Sequence, residues 1–179
     1  MVHRFLREQV KPGAFCIDAT AGRGRDTALL CQLAGPAGRV IAMDIQQEAV
    51  DSTKQLLADR GLTAEVLLAD HARLRELAEE GTVDCIVFNF GRLPGGDPKL
   101  VTKKESSVAA VEAALGLLKP GGVLALALYY GKENGYEEKA AVEECLARAD
   151  SRKYSVLQCQ WSNRPGDPPE PIFVWREKL

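Results

Sequence analysis

Two sets of residues in this chain are spaced for chemistry. One is a series of acids, each placed where an apolar run ends: Asp18 after Ala14 to Ile17, Asp44 after Arg39 to Met43, and Asp70 after Ala64 to Ala69. The other is the stretch Phe88 to Thr102, FNFGRLPGGDPKLVT, which holds three glycines and two prolines. It begins as an apolar strand and breaks at Asn89 into a loop, so that an amide side chain and polar backbone stand at a strand's carboxyl end. In open α/β sheets ligands bind at that end.

The elements that must position these residues follow from the hydrophobic pattern. After the turn Lys11-Pro12-Gly13, residues 14–18 read as a short strand. The turn Ala19 to Asp26, with Gly22 and Gly24, leads into the helical spacing of TALLCQLA, which Gly35-Pro36-Ala37-Gly38 stops. Residues 39–43 predict a second strand. Gln46 to Arg60 predicts a helix with Ala49, Val50, Thr53, Leu56 and Leu57 on one stripe, ended by Gly61. Residues 64–69 predict a third strand, 72–80 a charged helix and 83–88 a fourth strand. A helix over 103–118, a turn at Lys119 to Gly122 and a fully apolar fifth strand over 123–128 come next. A last helix over 136–149 precedes two strands, 154–161 and 171–176, joined through the proline-rich stretch 163–170 as in a hairpin. Strands alternating with helices of this length imply an α/β, Rossmann-like fold: a mostly parallel seven-stranded sheet with helices on both faces and an antiparallel strand near the end of the chain.

Bulk properties narrow the function classes. The chain has 179 residues, which suits one domain, 1–179. It is 46% hydrophobic and 27% charged, and no apolar run approaches the roughly 18 residues that a membrane span needs. The opening segment has charge but no apolar run of the kind a secretory signal carries, so the expected location is cytoplasmic. Five cysteines are widely spaced without a C-x-x-C pair, and only His3 and His71 offer imidazoles, which favours buried thiols over a metal site. A net charge of −2 predicts no strong non-specific grip on nucleic acid, while leaving room for a local basic rim. Trp161, Trp175 and the proline-rich stretch leave room for a symmetric dimer.

A Gly-x-Gly turn after the first strand and an acid after the second suit either a dinucleotide or S-adenosylmethionine (SAM). The dinucleotide fingerprint needs a third glycine so that backbone can approach a pyrophosphate. Here that position is Thr27, preceded by Asp26, an anion where an anion would bind. SAM carries a sulfonium and an ammonium and no phosphate, so Asp18, Asp26 and Asp70 favour it. Asp44 would accept from the ribose hydroxyls and Asp70 would reach the adenine amino group. Asp18 and Asp44 also suit turn caps, and Asp70 a helix N-cap. Arg23 and Arg25 fit a methionine carboxylate, an outward phosphate or a solvated surface.

The stretches DATAGRGRDT, MDIQ, DH, FNFGRLPGGD and YYGKENGYEE resemble, over nearly the whole chain, the bacterial SAM-dependent tRNA methyltransferases formerly grouped as rRNA methylases. Members of that family methylate the amine of 5-aminomethyl-(2-thio)uridine at the tRNA wobble position. The resemblance implies SAM as cofactor and tRNA as partner. It implies cofactor-side roles for Asp18, Thr20, Gly22, Arg23, Gly24, Arg25, Asp26, Thr27, Asp44, Ile45, Gln46, Asp70, His71 and Asn89. Acceptor-side roles fall to Phe90, Gly91, Leu93, Pro94, Gly95, Gly96, Asp97, Thr102, Lys132 and Arg164. The chain departs from the family pattern at Arg23 and Arg25, at Tyr129-Tyr130-Gly131-Lys132, at Pro98 and at Asn163-Arg164.

Methyl transfer from SAM is an in-line displacement, and positioning supplies most of the rate. Asn89 is similar to the asparagine of amino-methyltransferase loops, whose oxygens accept the amine's protons and aim its lone pair; a buried bracing role is the alternative. If a base takes part, Tyr129, Tyr130 and His71 are the candidates. Phe90 or Tyr130 would stack on the uracil, and Lys99, Lys103, Lys104, Lys132 and Arg164 would meet phosphate or solvent. The competing readings are a SAM enzyme acting on rRNA or a small molecule, an NAD-dependent oxidoreductase, and a non-catalytic cofactor-binding module.

Overall fold

The computed structural model describes residues 1–91, 95, 102–131 and 135–178. Seven strands form one sheet in the order β3-β2-β1-β4-β5-β7-β6. They are β1 (Phe15–Asp18), β2 (Arg39–Asp44), β3 (Glu65–Leu68), β4 (Val83–Phe90), β5 (Leu118–Leu128), β6 (Tyr154–Gln158) and β7 (Glu170–Arg176). Strands β1 to β5 pair in parallel, and β7 runs antiparallel to both β5 and β6. The mostly parallel sheet with one antiparallel strand is the one that the sequence predicts.

Alternation along the strands builds two cores, because successive side chains leave a strand on opposite faces. Ile86, Phe88 and Phe90 of β4 face one way, with Leu124, Leu126 and Leu128, and are covered by α4 (Lys104–Leu117), α5 (Gly135–Ala147) and a short 3₁₀ helix at His71–Glu76. Cys85 and Val87 face the other way, with Cys16, Val123 and Ala125, under α1 (Val2–Gln9), α2 (Arg25–Ala34) and α3 (Gln47–Asp59). Cys16, Cys31, Cys85 and Cys145 are buried and Cys159 is half-buried, all as free thiols.

Four expectations need correction. The segment 72–80 forms only the 3₁₀ helix His71–Glu76, which Asp70 caps by accepting from the Ala72 amide at 2.8 Å. Strand β4 does not break at Asn89; it pairs with β5 through Phe90, opposite Leu128, because Phe90 is buried and the polar Asn89 is the odd residue in the alternation. The turn at 119–122 is an insertion within β5, where pairing steps from Val83–Leu118 to Cys85–Val123. Helix α1 was not foreseen: its eight residues are held by tertiary packing, with Phe5 stacked on Phe173 at 4.3 Å and edge-on to Trp175 at 5.3 Å, and Leu6 fully buried.

This topology positions the site. The chain runs from β1 into α2 on one face, and from β4 toward α4 on the other, so the carboxyl ends of adjacent β1 and β4 part at the point where strand order reverses. That is where a doubly wound sheet opens a crevice. Among the described residues no helix is long and apolar enough to cross a membrane. Phe5→Ala should destabilise the protein by about 3 kcal/mol, the usual cost of emptying a buried aromatic position, read from urea unfolding midpoints.

Candidate active site

A cleft of about 760 Å³ lies at the carboxyl ends of the strands. A second recess of about 410 Å³ lies at the opposite end of the sheet. Its acid, Asp84, is already bonded to the Phe15 amide at 2.9 Å and paired with Lys119. The cleft is therefore the place to look for chemistry.

Its first wall is the β1–α2 turn. Ala19 donates to the Val87 carbonyl and Ala21 to the Met43 carbonyl, both at 2.9 Å, so the turn is pinned between the ends of β4 and β2. Gly24 caps α2 with φ of +76°, and a Cβ there would stand 2.9 Å from Thr53 Cα, so α2 and α3 approach at a residue without a side chain. Asp44 accepts from the amides of Gly22 and Gln46, both at 3.0 Å. Each of its oxygens keeps a second lone pair, and Asp44, Ile45 and Gln46 line the cleft.

Asp18 is fully buried below the cleft and is not part of its lining. It accepts from the Thr27 hydroxyl at 2.6 Å and from the Thr20 amide at 3.2 Å. Burial, and then the neighbouring Asp26 charge, raise its pKa from 3.8 to about 7. Gly24, Thr27 and Phe90 are likewise absent from the lining, as is Asp70, which is exposed and next in sequence to the lining residue His71, while Thr20, Gly22, Arg23, Arg25 and Asp26 form the lining. Arg23, in the β1–α2 turn, pairs with Glu48 at 2.7 Å and lies beside Gly95. His71 is 6% exposed, edge-on to Phe90 at 5.7 Å, and burial lowers its pKa. Its Nε2 has no hydrogen-bond partner, and the residue lines the cleft.

The second wall holds Asn89. Its amide N–H donates to Thr20 Oγ1 at 2.6 Å, and its side-chain Nδ2 donates to Asp26 Oδ2 at 2.7 Å. A carboxylate only accepts, so Asp26 fixes the orientation of the Asn89 amide and leaves Oδ1 as the acceptor. Gly91 and Thr102 bond to each other three times: the Gly91 amide donates to Thr102 Oγ1 at 2.8 Å, and the Gly91 carbonyl accepts from the Thr102 amide at 2.9 Å and from its hydroxyl at 3.4 Å. Gly91 has φ of +145° and a Cβ there would meet Tyr129 Cβ at 2.8 Å, so no other residue fits the clasp. Leu93, Pro94, Gly96, Asp97 and Lys132 lie outside the described residues.

Tyr129 is 52% exposed at the rim, and burial of its hydroxyl, then Asp26, raise its pKa. Tyr130 donates to Glu170 at 2.5 Å, a bond that pushes its pKa to about 12, and its ring stands edge-on to Tyr136 at 5.5 Å. Both phenols therefore keep their protons at neutral pH. Arg164 stacks on Trp161 at 3.9 Å and is not part of the lining.

Three lining features were missed from the sequence. His3 of α1 reaches Asp26 Oδ1 at 2.5 Å. Glu138 of α5 is 4% exposed and accepts from Ser107 at 2.5 Å; burial raises its pKa against the opposing pull of the Ser107 and Thr102 hydroxyls. Gly166 and Asp167 reach the cleft from the β6–β7 connection, where Asp167 has φ of +51° and accepts from the Tyr136 hydroxyl at 2.7 Å. The Gly-Asp pair among prolines is the one sequence signal for the last of these, as aspartate tolerates the left-handed region.

The donor set suits SAM. His71, with an unpartnered buried imidazole nitrogen, and Asp44, with free lone pairs, are both among the lining, and the first turn of α2 presents Asp26 where a pyrophosphate would sit. The fold is the Rossmann-like one of SAM-dependent methyltransferases, and SAM is the cofactor that the site suits. Residues 40–175 match the family described as "Putative rRNA methylase", and the chain belongs to that family. It is 33% identical over 92% of its length to the Arabidopsis thaliana chloroplastic tRNA (mnm(5)s(2)U34)-methyltransferase, of which it spans 64%. It is 30% identical to the Teredinibacter turnerae ubiquinone/menaquinone C-methyltransferase over 73% of the chain and 49% of that protein. A Clostridium thermocellum structure of the same description superposes with a TM-score of 0.94 at 33% identity, covering 98% of this chain and 95% of that one. A Streptococcus mutans protein in complex with SAH gives 0.88 at 29% identity over the same shares.

Asp18 gives the fold a pH dependence. Its folded pKa lies above its unfolded one, so the fold favours the protonated form. The contribution is complete below about pH 4 and is lost as pH rises to about 7. Asp18→Asn should flatten the difference in urea midpoint between pH 5 and pH 8.

Proposed function

We propose that the chain transfers a methyl group from SAM to the amine of 5-aminomethyl-(2-thio)uridine at the wobble position of tRNA. The observation that carries this reading is the Asn89 amide, held by Asp26 with Oδ1 left to accept, at the cleft between cofactor turn and acceptor stretch. An amine needs that kind of partner: an oxygen that takes its N–H and directs the lone pair. The resemblance to a plant enzyme named for the corresponding tRNA reaction supports the choice of acceptor.

SAM supplies the electrophilic methyl group. Asp44 would accept from the ribose hydroxyls, and Asp70, through the oxygen not used in capping, from the adenine amine. His71, neutral because burial disfavours its charge, offers Nε2 to the cofactor side. Asn89 holds the amine nitrogen on the line opposite sulfur, roughly 3–3.5 Å from the methyl carbon. With SAM bound, the N–C bond would form as the C–S bond breaks, the electron pair leaving on sulfur.

An alkylamine resembling lysine is protonated at pH 7, and freeing its lone pair costs about 4–5 kcal/mol at most. Tyr129 and Tyr130 hold their own protons and cannot take another at that pH. Glu138 is the buried carboxyl on the acceptor side, beside Thr102, and it receives the ammonium proton before transfer. Arg23 and Arg25 line the opening and would meet the anticodon backbone, which positions the nucleic acid without reading its sequence.

Mass spectrometry of wobble nucleosides, after incubating the protein with SAM and tRNA bearing the aminomethyl group, tests the assignment. Conversion to the methylaminomethyl form is expected; methylation of rRNA or of a small molecule instead would replace this reading with its rival. Asn89→Ala should lower turnover about 10²-fold, as loss of one positioned polar contact does, with SAM affinity retained in calorimetry. Glu138→Gln should slow the reaction about 10²-fold at pH 7 and less at pH 9.5, where more of the amine is free; the pH–rate profile reads this difference.

A further inference from the structure

Asp26 does not present an open carboxylate to the cleft. Oδ2 takes the Asn89 amide at 2.7 Å, and Oδ1 takes His3 Nε2 at 2.5 Å. The three side chains form a line from α1, through the first turn of α2, to the end of β4, and all three line the cleft. Asp26 is 14% exposed and His3 50%, so the imidazole is the solvent-side end of the line.

We propose that His3 is a positioning residue for methyl transfer: it fixes the rotamer of Asp26, and Asp26 fixes which end of the Asn89 amide faces the acceptor. The inference rests on the role given to Asn89 above. The two ends of an asparagine amide are nearly the same size, so packing does not choose between them and the hydrogen-bond partner does. Asp26 chooses only while its carboxylate plane is held. The second bond, from His3, holds it, and a charge-assisted bond is worth more than a neutral one. Helix α1 is itself fixed by the buried Phe5 and Leu6, which holds His3 beside the first turn of α2. The N-terminal helix is therefore part of the acceptor site.

The test compares His3→Leu, which removes the donor, with His3→Gln, whose amide can still donate to Asp26. Two readouts are taken: the ¹H–¹⁵N side-chain amide pair of Asn89, assigned by its loss in Asn89→Ser, and the split of turnover from SAM affinity. In His3→Leu the Asn89 pair should move and turnover fall about tenfold, with SAM affinity within twofold of the parent. His3→Gln should restore both. An unmoved Asn89 pair in His3→Leu, a fall in SAM affinity as large as the fall in turnover, or no recovery in His3→Gln would overturn the inference. The amide readout needs no acceptor, so a parent protein that leaves aminomethyl tRNA unmethylated would sink the substrate reading while this comparison still decides on His3.

Discussion

The hydrogen bond from the Asn89 amide to Thr20 Oγ1 is the joint on which the site depends. Strands β1 and β4 are neighbours that separate at their carboxyl ends, so the ladder between them stops just where the cleft begins. A backbone N–H left there would be half-buried without a partner, at a cost comparable to a lost hydrogen bond. Thr20 supplies the missing acceptor from the turn after β1. The same turn is held by Ala19 on Val87 and by Ala21 on Met43. Three strands thus converge on one turn, and the side chains that project from it have little freedom to choose where they point.

Alternation then assigns the faces. Phe88 and Phe90 belong to the core under α4 and α5, so Asn89 between them must face α1 and α2. Asp18, in step with Cys16, faces the same way and meets Thr27. A buried acid with a raised pKa is an expensive feature for a fold to keep. Its position beneath Thr20 and Thr27 explains its retention in physical terms: its oxygens order the turn that in turn orders Asn89.

Much of this was legible in the sequence, and the rest was hidden for identifiable reasons. The acids at strand ends marked the carboxyl edge correctly, and the absent third glycine with Asp26 separated SAM from a dinucleotide. Asn89 stands out by composition but reads as the start of a loop, because one polar residue in an apolar run looks like a break when the next buried side chain, Phe90, lies beyond it. Asp26 was seen as a charge, and charge alone does not say which group collects it; the structure gives it to His3 and Asn89. Helix α1 has only Phe5 and Leu6 as buried residues, and the ring partners of Phe5, Phe173 and Trp175, lie more than 160 positions away. Glu138 reads as a solvated helix residue until α5 is seen against Ser107 and Thr102.

The mutual bonds of Gly91 and Thr102 close a stretch of chain at its base, as a clasp closes a bracelet. The clasp fastens the chain ahead of α4 to the residue that follows β4. The cofactor turn, by contrast, is tied to three strands. The two walls of the cleft are therefore fastened largely by separate bonds, and a change at the clasp leaves the ties of the β1–α2 turn to Val87 and Met43 in place.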